Sequence, residues 1–219
     1  WTLVRAEVQL LVLAGDVCQL PAQVSESGRL LRHERSLMER LLDLGYGNTC
    51  TLTVQNRMAP EILAYPNREF YAGTLVCGTH APAAGAVELV LVEGAEEEAN
   101  GTSWSNRGEA AAAAAAARAA KDRGDANCVL LAPYAAQCRT LLSHRTKCEV
   151  HTLASFQGRE AHTVILSLVR DGSHGVGFWE DSRRLTVALT RARERLVLVA
   201  SRSLLGHEST LGALIRNHA

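Results

Sequence analysis

The sequence predicts an α/β protein whose parallel sheet is covered by helices on both faces. Two observations carry this. The runs "AVELVLVEG" (86–94), "CVLLAPY" (128–134), "HTVILSLV" (162–169) and "RLVLVAS" (195–201) are short and almost continuously apolar, the pattern of strands buried on both sides. Helix-like segments stand between them, and a strand–helix alternation specifies parallel pairing with both faces covered.

Taken in order, "VQLLVLAGD" (8–16) reads as a buried parallel strand that ends in a functional loop. "HERSLMERLLDLG" (33–45) is an amphipathic helix, with Leu37, Met38, Leu41, Leu42 and Leu44 on its apolar side and Gly45 as its stop. "CTLTV" (50–54) is a strand, and "PEILAYPNREFYAG" (60–73) a helix broken near Pro66. After the strand at 86–94, "AEEEANGTSWSNRG" (95–108) reads as polar loop. "EAAAAAAAARAAKDRG" (109–124) is expected to be an ordered helix on the sheet rather than a low-complexity linker, since alanine has the highest helix propensity and Gly124 supplies a stop. "AAQCRTLLSH" (135–144) and "SRRLTVALTRA" (182–192) are helices, and "CEVHTL" (148–153) is a further strand.

The 219 residues suffice for one sizeable domain, or one domain and part of another. With 23 basic and 23 acidic residues the charge cancels, so any nucleic-acid site is a local groove and not a global basic surface. Lys121 and Lys147 are the two lysines; coding bias explains the preference for arginine before phosphate recognition does. The six cysteines form no close C-x-x-C pair, which argues against a zinc site or a disulfide framework and favours a reducing compartment. No apolar stretch reaches the roughly 18 residues of a membrane span. The opening "WTLVRAEV" lacks an initiating Met and reads as a piece of a longer chain, not as a signal peptide.

The chemistry lies in the polar motifs. "GDVCQLP", "QNRM" and "SFQGRE" follow directly on predicted strands, and ligands of parallel sheets sit at the strands' carboxyl ends, so these motifs are expected on one edge. In "VALTRARER" (187–195) three arginines stand beside a core-bound strand, where an unpaired buried charge is costly and an anion or carboxylate is required. Singly, each motif has a plainer reading. The Gln19 loop is a solvated turn, Arg57 pairs with Glu61 or Glu69, Gly158 serves a tight turn, and the late arginines pair with Glu160 or Glu194.

Together and in this order the motifs resemble those of superfamily 1 helicases of the Upf-like branch. "GDVCQLP" (15–21) resembles motif III, "LTVQNRMAPEILAYPNREFYAGTL" motif IV, "VHTLASFQGREAHTVILSLVR" motif V and "GFWEDSRRLTVALTRARERLVLV" motif VI, with "GTSWSNRGEA" and "LLAPYAAQ" resembling the segments between. The resemblance covers nearly the whole chain. It implies two RecA-like domains of the P-loop NTPase type clamping ATP between them. Residues 1–50 would be the last part of the first domain, and 51–219 the second. Neither G-x-x-x-x-G-K-[ST] nor a D-E-A-x magnesium motif occurs. Both precede motif III in the family, so they lie upstream of Trp1 or are absent, and this chain alone is not expected to hydrolyse ATP.

By motif position the resemblance makes Arg57 and Arg191 arginine fingers toward the γ-phosphate, with Arg193 in support. Gln19 would sense that phosphate. Gln55 and Asn56 belong to the ATP-binding motif, Glu160 would accept from the ribose hydroxyls, and Gly158 would let the backbone approach. Thr152, Pro133 and Tyr134 would line a groove for single-stranded RNA or DNA. The implied cofactors are ATP and Mg2+, both held mainly by the first domain, with no metal held by these residues; translocation would run 5′ to 3′, in cytoplasm or nucleus. One departure stands out: the motif IV tyrosine that stacks on adenine is Asn56 here. A non-catalytic nucleic-acid-binding or scaffold module derived from a helicase is the alternative.

Overall fold

The computed structural model describes residues 9–78, 85–93, 95–99, 101–125 and 127–219. The chain divides into two compact units, Trp1–Thr51 and Leu52–Ala219.

Among its described residues the smaller unit holds two short helices, α1 (Glu26–Leu30) and α2 (Leu37–Asp43). Each starts at a serine whose hydroxyl accepts a backbone N–H, Gly28 to Ser25 and Glu39 to Ser36. Because Ser36 is the cap, the predicted helix begins at Leu37 and not at His33. Gly45 ends it at φ +69°, where the Gly45 and Tyr46 N–H groups return to the carbonyls of Leu42 and Leu41, a Schellman closure. The strand predicted over 8–16 does not form at 9–14 (Val8 lies outside the described residues), and Leu10 and Val12 are 81% and 77% exposed. A strand exists only where its N–H and C=O groups find a neighbour, and among the described residues none pairs with this run.

In the larger unit, β3 (Val87–Val92), β6 (Cys128–Ala132), β7 (Glu149–Thr152), β8 (Ala161–Ser167) and β9 (Ala192–Ser201) form a five-stranded sheet in the order β3-β9-β8-β6-β7, every pair parallel. The α/β class and its parallel sheet are as the sequence predicts. Alternate residues share a face. Cys128, Leu130, Ile165, Val197 and Val199 pack beneath α4 (Arg107–Asp122) and α5 (Ala135–Ser143). On the other face Leu131, Val164, Leu166 and Leu198 are as deeply buried, with α3 (Pro60–Phe70) against β9 and α7 (Thr210–His218) against β3. Leu166 and Leu198 are also direct partners in the β8–β9 ladder.

The alanine run is the packed helix α4. Asn106 caps it, accepting the Glu109 N–H at 3.0 Å, and Gly124 follows it at φ +86°. Ala113, Ala117 and Ala120 have no exposed surface, so alanine here lets the helix approach the sheet closely. Ala117→Leu is expected to destabilise the fold by about 1–3 kcal/mol through overpacking. Urea unfolding measures it, and an unchanged midpoint would contradict the packing.

Several boundaries differ from expectation. The predicted strand 50–54 reduces to β1 (Val54–Gln55), paired in parallel with β2 (Val76–Cys77) outside the main sheet. Helix α3 runs through Pro66 without a break, because burial of Ile62, Leu63, Tyr65 and Pro66 outweighs the lost hydrogen bond. The expected loop 95–108 contains an antiparallel hairpin, β4 (Glu97–Ala99) and β5 (Ser103–Ser105), before α4 begins at Arg107. The helix predicted over 182–192 stops as α6 (Ser182–Leu189), and β9 starts at Ala192 because Ala192 pairs with Ala161 of β8.

Candidate functional site

Arg57, Glu160, Arg191 and Arg193 meet at one end of the sheet. It is the amino-terminal end of β8 and β9, not the carboxyl end expected, because Glu160 immediately precedes β8 and Arg191 and Arg193 bracket the first residue of β9. The loop 153–160 returns from the carboxyl end of β7 to the amino end of β8, and so carries "SFQGRE" across.

Gln55 shapes the motif that delivers Arg57. Its Oε1 accepts the Arg57 and Met58 N–H groups at 2.9 and 2.8 Å, and its Nε2 donates to the Met58 carbonyl at 2.8 Å. The Ala59 N–H then donates to the Arg193 carbonyl at 2.8 Å, tying this loop to the start of β9. Arg57 donates from Nε to Glu160 Oε2 at 2.6 Å and from Nη1 to the Thr190 carbonyl at 3.2 Å. Arg193 donates from Nη1 to Glu160 Oε1 at 2.9 Å. Between Ala161/Ala192 and Thr163/Arg195 the register slips by one residue, a bulge in β9 that breaks the two-residue alternation. Arg193 and Arg195 therefore diverge, and Arg195 crosses to Glu88 of β3 at 3.3 Å.

Arg191 differs from its neighbours. It is 2% exposed, and among the described residues its hydrogen bonds go to neutral acceptors rather than to a carboxylate. Its Nε donates to the Val187 carbonyl at 2.9 Å and its Nη2 to Thr190 Oγ1 at 3.0 Å, while Nη1 makes only a long contact of 3.4 Å with the Arg159 carbonyl. Burial, and secondarily the Arg57 charge, pulls its guanidinium down to about 10, still protonated at neutral pH. Glu160 is held below the usual carboxylate range, chiefly by the Arg57 hydrogen bond. Three guanidiniums against one carboxylate leave the cluster at +3 − 1 = +2, with the buried charge facing neutral acceptors. This composition fits an oxyanion such as a phosphate. The salt-bridge alternative describes Arg193, through Glu160; Arg195 pairs with Glu88 and not with Glu194, and Arg57 with Glu160 and not with Glu61 or Glu69.

Gly158 sits at φ +79°, and a Cβ there would meet nothing within 4 Å, so its requirement is conformational. The Asn56 side chain lies against Gly78, where a Cβ would collide with it. Thr152 ends β7 at the carboxyl edge, and its Oγ1 donates to Ser155 Oγ at 3.1 Å. Pro133 is buried beyond β6, and half-buried Tyr134 accepts the Phe178 N–H at 3.1 Å. Thus Thr152, Pro133 and Tyr134 share an edge opposite the arginine cluster, separated from it by the seven residues of β8. Gln19 belongs to the smaller unit, where its Nε2 donates to Asp16 Oδ2 at 2.8 Å. Among the described residues no cluster of His, Cys, Asp and Glu is placed to hold a metal ion.

Sequence reasoning missed two buried polar groups. Glu109, three residues after the cap Asn106, was legible as the second half of a capping-box spacing, but its carboxylate turns inward and accepts Ser167 Oγ and the Val169 N–H, each at 2.7 Å. The Glu96–Arg170 pair at 2.7 Å left no such signal.

The family model described as AAA domain (AAA_12) matches residues 33–203. The chain is similar to a regulator of nonsense transcripts 1 homolog of Arabidopsis thaliana, 32% identical over 96% of this chain and 19% of that protein. It is 31% identical to the DNA-binding protein SMUBP-2 of Mesocricetus auratus, over 93% of this chain and 24% of that one. An uncharacterized ATP-dependent helicase of Methanocaldococcus jannaschii is 30% identical, over 94% of this chain and 34% of the helicase. The chain therefore spans about a third or less of the length of these relatives.

Proposed function

Because the chain belongs to the AAA domain family (AAA_12), as the C-terminal region of an Upf-like superfamily 1 helicase, we propose that its amino-edge arginines complete an ATP site whose phosphate loop and Mg2+ ligands lie in another domain. The observation that carries this reading is the buried Arg191 guanidinium, whose hydrogen bonds among the described residues go to neutral acceptors. Phosphoryl transfer depends on cations that meet charge on the equatorial oxygens, and a guanidinium supplies a permanent charge with a rigid fork of donors. Arg191 and Arg57 take that role. Arg193 shares Glu160 with Arg57, and Glu160 keeps acceptor lone pairs for ribose hydroxyls. Gln55 holds the Arg57 loop in shape, and Gln19, in the smaller unit, keeps the phosphate-sensing role that its motif implies. Thr152, Pro133 and Tyr134 mark the groove for single-stranded RNA or DNA, Pro133 through its backbone. Residues 1–50 are the tail of the first RecA-like domain and 51–219 the second.

Asn56 favours a second reading. Without an aromatic ring at that position the base loses a stacking partner, as suits a helicase half kept for nucleic-acid binding or scaffolding alone. One experiment separates the two. The chain joined to a phosphate-loop domain is assayed for hydrolysis of ATP and GTP with and without single-stranded RNA. The catalytic reading expects stimulated hydrolysis with little preference between the bases. Binding of RNA with no hydrolysis of either nucleotide selects the non-catalytic module.

A further inference from the structure

The loop after β8 and the hairpin β4–β5 are locked together at the carboxyl edge by a buried ion pair. The Arg170 side chain is 4% exposed and that of Glu96 0%, with Nε to Oε2 at 2.7 Å. Both groups are further satisfied: Arg170 donates to the His174 carbonyl at 2.7 Å, and Glu96 Oε2 accepts the Asp171 N–H at 2.9 Å. The guanidinium also lies 4.3 Å from the centre of the Trp104 ring. The backbone adopts unfavourable geometry to reach this state. Val169, a β-branched residue, stands at φ +72°, and Gly177 at φ +49° leaves room that any Cβ would take from Arg170.

This rigid base presents an aromatic surface to solvent. The His174 side chain is 65% exposed, its ring is tilted 38° against that of Trp104 with centroids 5.4 Å apart, and its Nδ1 is 3.2 Å from Glu96 Oε1. Phe178, from the segment that follows, packs edge-on to Tyr134 at 5.9 Å, with the Arg184 guanidinium 4.4 Å from its ring centre. A lone exposed ring is usually mobile; here its partner ring and its hydrogen bond hold it in place.

We propose that His174, braced by the tilted Trp104 ring beside it, is a platform for an unpaired base of single-stranded nucleic acid. Aromatic faces held at fixed positions beside a backbone track accept any base, because every base has a π-face. The proposal rests on the reading that single-stranded nucleic acid runs along the carboxyl edge past Thr152 and Tyr134, and it assigns to that edge a base contact that those two residues do not make.

The test is fluorescence anisotropy with the 219-residue chain, using a single-stranded RNA and a strand of the same length with abasic sugars. His174→Ala should weaken binding of the base-bearing strand by roughly five- to a hundredfold, the range for loss of one base–aromatic stack, and leave the abasic strand unaffected. His174→Phe, which keeps a ring but loses the Glu96 hydrogen bond, should retain most of the affinity. If His174→Ala binds like the wild type, if both variants weaken equally, or if the abasic strand weakens as much, the platform is wrong. Failure of the wild-type chain to bind either strand overturns the carboxyl-edge groove, and the platform with it.

Discussion

Arg191→Lys, in a protein where this chain is joined to a phosphate-loop domain, is expected to slow single-turnover ATP hydrolysis by about a thousandfold or more, the scale on which arginine fingers act. Lysine retains a charge at nearly the same place, so the prediction isolates the guanidinium fork. Arg191 fixes itself through Nε and Nη2, to the Val187 carbonyl and the Thr190 hydroxyl, and its Nη1 side is left with one long contact at 3.4 Å. Lysine's three donors share one freely rotating nitrogen, so they do not fix those two anchors while aiming a donor in a set direction, as the rigid fork does. Its burial makes the interaction with an anion stronger than it would be in water. Binding of a non-hydrolysable analogue should change little, since base, ribose and the inner phosphates are held elsewhere. Wild-type hydrolysis by the lysine variant would mean that the charge alone, or the fold alone, is what Arg191 serves.

The second large effect is on stability and comes from Glu109. Burial raises its carboxyl to about 8 against 4.5 for the free group, and hydrogen bonds from the Val169 N–H and the Ser167 hydroxyl only partly oppose the shift. The folded state therefore binds a proton that the unfolded state has already released between those two values. The contribution is fully present below about 4.5, falls as pH rises, and is lost once pH passes about 8. Urea unfolding at pH 5 and pH 8 should show the wild type losing on the order of several kcal/mol from this group. Glu109→Gln, neutral throughout, should lack that slope. Glu149, Glu160, Asp171 and Asp181, whose carboxyls are lowered in the fold, act in the more acidic range. His218, lowered from 6.5 by burial, acts inside this window with the opposite sign, but it is common to wild type and variant, so the difference between their slopes isolates Glu109. An identical pH slope in wild type and variant would contradict the assignment.

Much of the larger unit was legible because its strands are apolar on both faces, as the runs around Leu130, Ile165 and Val197 show, and because the alanine run has a cap and a stop. Boundaries set by pairing were not. Ala192 begins β9 because Ala161 lies opposite, a fact that no pattern in "TRARER" encodes. The run 9–14 has a strand's composition without a pairing neighbour among the described residues. The motifs fixed which arginines to examine, but their placement at the amino ends of β8 and β9 depends on a connection that crosses the sheet. The Glu96–Arg170 pair joins residues 74 apart in sequence and belongs to tertiary structure alone. Arg57 and Arg191 are joined in the same way, through opposite ends of Thr190: the carbonyl receives one and the hydroxyl the other.

That shared anchor suggests the most direct measurement: a cycle of wild type, Arg57→Ala, Arg191→Ala and the double variant. Single-turnover ATP hydrolysis is measured with saturating single-stranded RNA in the protein that carries the phosphate loop. If the two arginines act as one unit on the nucleotide, each single variant slows hydrolysis strongly, and the double variant costs less than the product of the two. Hydrolysis at the wild-type rate by Arg191→Ala would contradict the account and leave the amino-edge cluster a structural ion network.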